Sequence, residues 1–183
     1  MEIAIVVGNN SKKSYNLKLA QYMKNRYEGP LSINIVSISK LPLFSVDDLT
    51  SGRIDPEVEI FHEKIAAADG VVIVTPEYNH SVPAILKNAL EWMSKDFYPF
   101  INKPVMIAGC AYGALGTVRA QMALRGIINS PGLQANVMPG NEFLLTFAEE
   151  KFDANGDLID EGTIKFLDQC FLSFVRFTGE SKY

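Results

Sequence analysis

A chain of 183 residues, 48% hydrophobic and 21% charged, has the composition of one well-cored globular domain and no room for two. Its formal net charge of −4, with no long run of lysine or arginine, argues against nucleic acid as a partner. The longest apolar stretch, Val105 to Val118, is shorter than the ~20 residues of a membrane span and carries Gly109, Gly113 and Gly116.

Ile3 to Val7 is almost wholly apolar, which predicts a first strand covered on both faces. The chain enters it without a basic leader, so a cytoplasmic protein is expected. Leu17, Ala20, Met23 and Tyr27 then recur at helical spacing until Gly29-Pro30. Ile33 to Ile38 is a second strand, and Leu41 to Arg53, with Pro42, Asp47, Asp48 and Gly52, reads as a long surface loop. Asp55-Pro56 opens a helix carrying Val58, Phe61, Ile65 and Ala68, because proline suits a first turn. Val71 to Val74 is the third strand, followed by a helix over Pro83 to Met93. Val105 to Ala108 is the fourth, followed by a helix over Leu115 to Ile128. A fifth strand is predicted near Gln134 to Val137, then a polar excursion, then a last helix over Thr163 to Thr178. Its stripe is Ile164, Leu167, Phe171, Phe174 and Val175.

Strand–helix alternation implies a parallel sheet with helices on both faces, and five such units fit the flavodoxin-like strand order 2-1-3-4-5 over a single domain, residues 1–183. In such sheets ligands lie beyond the carboxyl ends of the strands, so three loops become the candidates. The first, Gly8 to Asn16, precedes a helix N-terminus that favours an anion. Asn9 and Asn16 offer amides there, Ser11 and Ser14 hydroxyls, and Lys12 and Lys13 charge; Ser14 reads either as a phosphate donor or as the helix cap. The second, Thr75 to Pro83, is pre-ordered by two prolines. It carries Glu77, Tyr78 with its aromatic face, and Asn79, which tolerates unusual dihedrals; its other reading is an ordinary turn capped by Ser81. The third, Gly109 to Gly116, is built of small residues around Tyr112. Such residues let a backbone approach a planar ring or pack a helix start. Together the loops suit a flat, phosphorylated cofactor.

Pro76-Glu77-Tyr78-Asn79-His80-Ser81-Val82-Pro83-Ala84-Ile85-Leu86-Lys87-Asn88-Ala89-Leu90-Glu91-Trp92 resembles the P-E-Y-N-x-S-x-P-x-x-L-K-N-A-x-[DE]-W segment of the NADPH-dependent FMN reductases, a family that includes quinone, azo-dye and chromate reductases. Gly113-Ala114-Leu115-Gly116-Thr117-Val118-Arg119-Ala120-Gln121 and Ser14-Tyr15-Asn16 extend the resemblance over nearly the whole chain. The resemblance implies that Ser14, Tyr15 and Asn16 hold the phosphate of FMN. It implies that Pro76, Glu77, Tyr78 and Asn79 line the ring and that Ala111, Tyr112 and Gly113 lie near it. The first loop departs from the usual G-S-x-R-x-x-S-x-N: Asn9 stands for serine and Ser11 for arginine, so Lys12 or Lys13 would have to supply the charge.

The expected activity is hydride transfer from NADPH or NADH through FMN to a small-molecule acceptor, with no side-chain acid required and no catalytic residue assigned. Glu77 reads as an acid, as a loop-orienting group or as a subunit contact; His80 as a proton donor or an ordinary turn residue. A flavodoxin-type electron carrier and a flavin-free interaction or sensor module are the alternatives. The resemblance also implies a homodimer or homotetramer. Trp92, Phe97, Tyr98 and Phe100 are available either to that contact or to the core. Cys110 and Cys170 are expected to be unpaired thiols of a reducing compartment. His62 and His80 are too few for a histidine metal site. Asp153 to Leu158 opens like a calcium loop, but Leu158 stands where that loop needs glycine.

Overall fold

The fold is that of a computed structural model, which describes residues 1–181. The first four strands, β1 (Glu2–Val7), β2 (Ser32–Val36), β3 (Gly70–Val74) and β4 (Pro104–Cys110), pair in parallel in the order β2-β1-β3-β4. The far edge is divided. β5 (Asn136–Val137) pairs with the start of β4 and β6 (Phe143–Leu145) with its end, again in parallel. The predicted fifth strand is thus one rail broken by residues 138–142, where Gly140 and Asn141 have positive φ. The predicted order 2-1-3-4-5 holds, with β6 as an added strand that pairs with β4 beyond β5.

Side chains alternate across the sheet and define two cores. Ile3, Ile5, Val7, Val72 and Val74 pack under α1 (Tyr15–Tyr27) and α7 (Glu161–Glu180), while Ala4, Val6, Val71 and Ile73 pack under α3 (Pro56–Ala67), α4 (Ala84–Met93) and α5 (Val118–Ile128). Leu167, Phe171 and Phe174 are the fully buried part of the α7 stripe, and Ile164 and Val175 pack at its margin.

Three expectations change. The segment read as a loop over Leu41 to Arg53 contains a short helix, α2 (Val46–Thr50), capped by Ser45. The polar excursion contains β6 and the one-turn α6 (Ala148–Lys151). Trp92 and Phe100, two of the four aromatics considered for a subunit contact, are core residues at 1% and 0% exposure; Tyr98 is exposed. The Trp92 indole N–H and the Asn88 amide both donate to the Pro42 carbonyl, and Asn88 Oδ1 accepts from Phe44 N–H. α4 therefore clasps the segment that would otherwise wander. Among the described residues no helix is long and apolar enough to cross a membrane.

Candidate active site

Beyond the carboxyl ends of β1, β3 and β4 the three loops meet in one cleft of about 270 Å3. Asn9, Ser11, Ser14, Tyr15 and Asn16 contribute from the first loop, Pro76, Glu77 and Tyr78 from the second, and Ala111 and Tyr112 from the third. Asn79 and Gly113, also predicted, are not among the lining residues; both are exposed. Lys13, one of the two lysines expected to supply the charge, lines the cleft as well, and Cys110 lines it without having been singled out for it. For Cys110 the signal was available, since it ends a strand at the side where ligands bind.

The first loop is organised around Ser14. Its hydroxyl oxygen accepts from the Asn16 and Leu17 N–H groups, which makes it the cap of α1, and from Asn9 Nδ2 at 2.7 Å. With that oxygen serving as acceptor three times, the hydroxyl proton is left to donate. Asn9, only 7% exposed, also accepts from Ser11 N–H through Oδ1. Among the described residues no acceptor meets the backbone N–H of Lys12, Lys13 or Tyr15. Open N–H groups, a donor hydroxyl, Lys13 and the helix N-terminus together make an anion site of the right donor chemistry for a phosphate monoester.

Asn16 does something else with its side chain. Its Nδ2 donates to the Cys110 carbonyl (2.9 Å) and its Oδ1 accepts from Cys110 N–H (3.0 Å), a buried reciprocal pair that ties α1 to the end of β4. Tyr15 packs edge-on to Tyr112 with centroids 5.4 Å apart, and Lys18 lies 4.7 Å from the Tyr15 centroid. Burial first, then the nearby Glu149 carboxylate, pushes the Tyr15 phenol above its ordinary range. Burial also raises the Cys110 thiol.

The second loop folds back on itself through reciprocal Tyr78–Ser81 backbone bonds. Its two central residues, Asn79 and His80, both have positive φ (50° and 64°), the requirement of a type I′ turn. Ser81 is therefore part of the turn, and the cap position of α4 is Pro83 with no side-chain bond. Of the three readings of Glu77, its bonds support the orienting one: Oε2 accepts from the Arg119 and Ala120 N–H groups at the start of α5, where Thr117 supplies no cap. In the third loop, Gly109 and Gly116 are tight for protein reasons. A Cβ at Gly109 would strike the Thr75 carbonyl and the Thr117 hydroxyl, whereas Gly113 has open space around it.

The profile of the NADPH-dependent FMN reductases matches residues 1–150, which takes in all three loops and the anion site. The chain belongs to that family. It is accordingly an oxidoreductase that works with FMN and NAD(P)H. It is 43% identical to the NADH:(hydroxy)cinnamate reductase subunit CrdA of Vibrio ruber over 97% of this chain and 87% of that protein. It is 41% identical to the NADH-dependent flavin reductase subunit 2 of Lactobacillus johnsonii over 100% of both. The solved structure of FerB, a flavoenzyme NAD(P)H:(acceptor) oxidoreductase from Paracoccus denitrificans, superposes with a TM-score of 0.88 at 28% identity, covering 98% of each chain. Against that family background, Asn88 and Trp92 of the long motif serve the scaffold, and its first residues, Pro76 to Tyr78, serve the cleft.

Proposed function

We propose that residues 1–183 form a single domain that holds FMN in the three-loop cleft and passes reducing equivalents from NADPH or NADH to a small acceptor such as a quinone, flavin, azo or nitro compound. The observation that carries this reading is the meeting of the Ser14 and Lys13 anion site with the segments 76–78 and 111–112 in one cleft. FMN, when bound, supplies the hydride chemistry. The chain's part is placement. Ser14, Lys13 and the open N–H groups of the first loop take the phosphate, in place of the arginine that Ser11 replaces. Pro76, Glu77 and Tyr78 present one edge to the ring, with Asn79 shaping the turn beside them and Glu77 locking that edge to α5. Ala111 and Tyr112 present the other, with Gly113 beside them. Asn9 holds the Ser14 hydroxyl, Tyr15 packs on Tyr112, and Asn16 keeps the phosphate loop in register with β4.

The same reading makes the protein a cytoplasmic homodimer or homotetramer. Support comes from the unpaired thiols and from the exposed Tyr78, Tyr112, Leu115 and Met122 around the cleft mouth and on α5. Sedimentation as a monomer at micromolar concentration would remove the oligomer. A second reading, in which the acceptor is the flavin of a partner protein, is favoured by two relatives being named as subunits. Titration of the purified protein with FMN, followed by quenching of flavin fluorescence, tests the cleft. Ser14→Ala should weaken binding by about tenfold or more, as loss of a charge-assisted bond predicts. Equal affinity in the two proteins would overturn the assignment.

A further inference from the structure

A second cleft, of about 390 Å3, lies on the other side of the first loop, at the carboxyl ends of β1 and β2. That volume is within the range, roughly 300–1,000 Å3, of small-ligand pockets. Val7, Leu17 and Ile35 give it an apolar floor. Lys12, Ser37 and Ser39 give it a polar rim, with the two serine hydroxyls 2.9 Å apart in a turn just after β2. The paired lysines of the first loop are thus divided, Lys13 to the cofactor cleft and Lys12 to this one. Asn9 and Ser11 line both, so the two clefts share a wall. Ser11 stands where the family usually carries arginine, and a guanidinium there would occupy the boundary that a serine leaves open.

We infer that this second cleft binds an adenylate moiety: adenine against the apolar floor, the ribose hydroxyls toward Ser37 and Ser39, and the phosphate toward Lys12. Resting on the FMN reading above, the inference identifies what lies beside the flavin phosphate. A ligand spanning both clefts must carry phosphate across Ser11, which both sources of adenylate do. One source is the nicotinamide dinucleotide; the other is FAD in place of FMN.

Calorimetric titration of the FMN-loaded protein with 5′-AMP reads this cleft with the first already filled, and titration of the flavin-free protein with FMN reads the first. Binding of 5′-AMP is expected, weakened about tenfold or more by Ser37→Glu, whose longer, charged side chain takes the space of the ribose in a cleft that must hold a dianion, with FMN affinity within about twofold of the parent. Ser39→Glu repeats the test should Ser37→Glu fail to fold. If FAD binds more tightly than FMN and Ser37→Glu removes the difference, the adenylate is the flavin's. If FAD and FMN bind equally and Ser37→Glu raises KM for NAD(P)H at constant kcat, it is the dinucleotide's. Absence of 5′-AMP binding in the parent protein, or equal binding in the variants, would overturn the inference; failure of FMN alone to bind would instead overturn the reading of the first cleft.

Discussion

The Glu77 carboxylate completes the start of α5 from a different loop, through two N–H groups that the local cap residue leaves open. Such a contact joins the energetics of a helix cap to the placement of a cleft wall. Glu77→Ala should cost about 1 kcal/mol of stability, measured by urea unfolding, and should also weaken FMN binding. Asn16 carries more. Removing its amide leaves a buried N–H and a buried carbonyl of Cys110 without partners, so Asn16→Leu should cost about 2 kcal/mol or more. At the far side of the molecule, hydrogen bonds from Arg26 and, after opposing partial burial, from Tyr27 hold the Asp168 carboxyl below its ordinary range. A depressed carboxyl stabilises fully above its unfolded pKa, about 3.9, and loses that contribution as pH falls toward the folded value. Acid unfolding between about pH 4 and pH 2 should therefore be less steep in Asp168→Asn than in the parent.

At the scale of elements, legibility followed burial. β1, β3 and β4 are covered on both faces, so their sequences are unbroken apolar runs that can be read without a partner. The outer rail could not be read the same way: β5 and β6 are two and three residues long, held by β4 rather than by their own pattern. α6 is a single turn entered through Phe147 in the left-handed region, a conformation no sequence rule favours for phenylalanine. The cleft was legible because its loops follow strands at predictable places. The use of Asn16 as a clasp, and of Glu77 as a remote cap, depends on contacts 94 and about 42 residues away and has no local signature. Two measurements probe this level. Gly109→Ala should destabilise by about 1–3 kcal/mol, because its Cβ meets the carbonyl of Thr75, which cannot rotate away. Burial raises the thiols of Cys110 and Cys170, the latter to about 11, so both should react with a thiol reagent at pH 8 only as fast as the protein opens. Immediate labelling of either would contradict the packing described here.

For the whole molecule, the doubly covered sheet is a platform whose carboxyl end carries the cleft proposed for the cofactor, while the helices on its two faces complete the two cores. The first loop, with Asn9 and Ser11 in place of the serine and arginine of the motif it otherwise resembles, borders both clefts, and the proposed phosphate site there rests on Ser14, Lys13 and backbone N–H groups. Whether that end holds a working flavin decides the proposed function. The direct measurement is the visible spectrum of the purified protein after reconstitution with FMN, before and after anaerobic addition of NADPH or NADH. Retained yellow colour that bleaches within seconds is the predicted result. Protein that retains no flavin, or retains it oxidised in the presence of both nucleotides, would contradict the account.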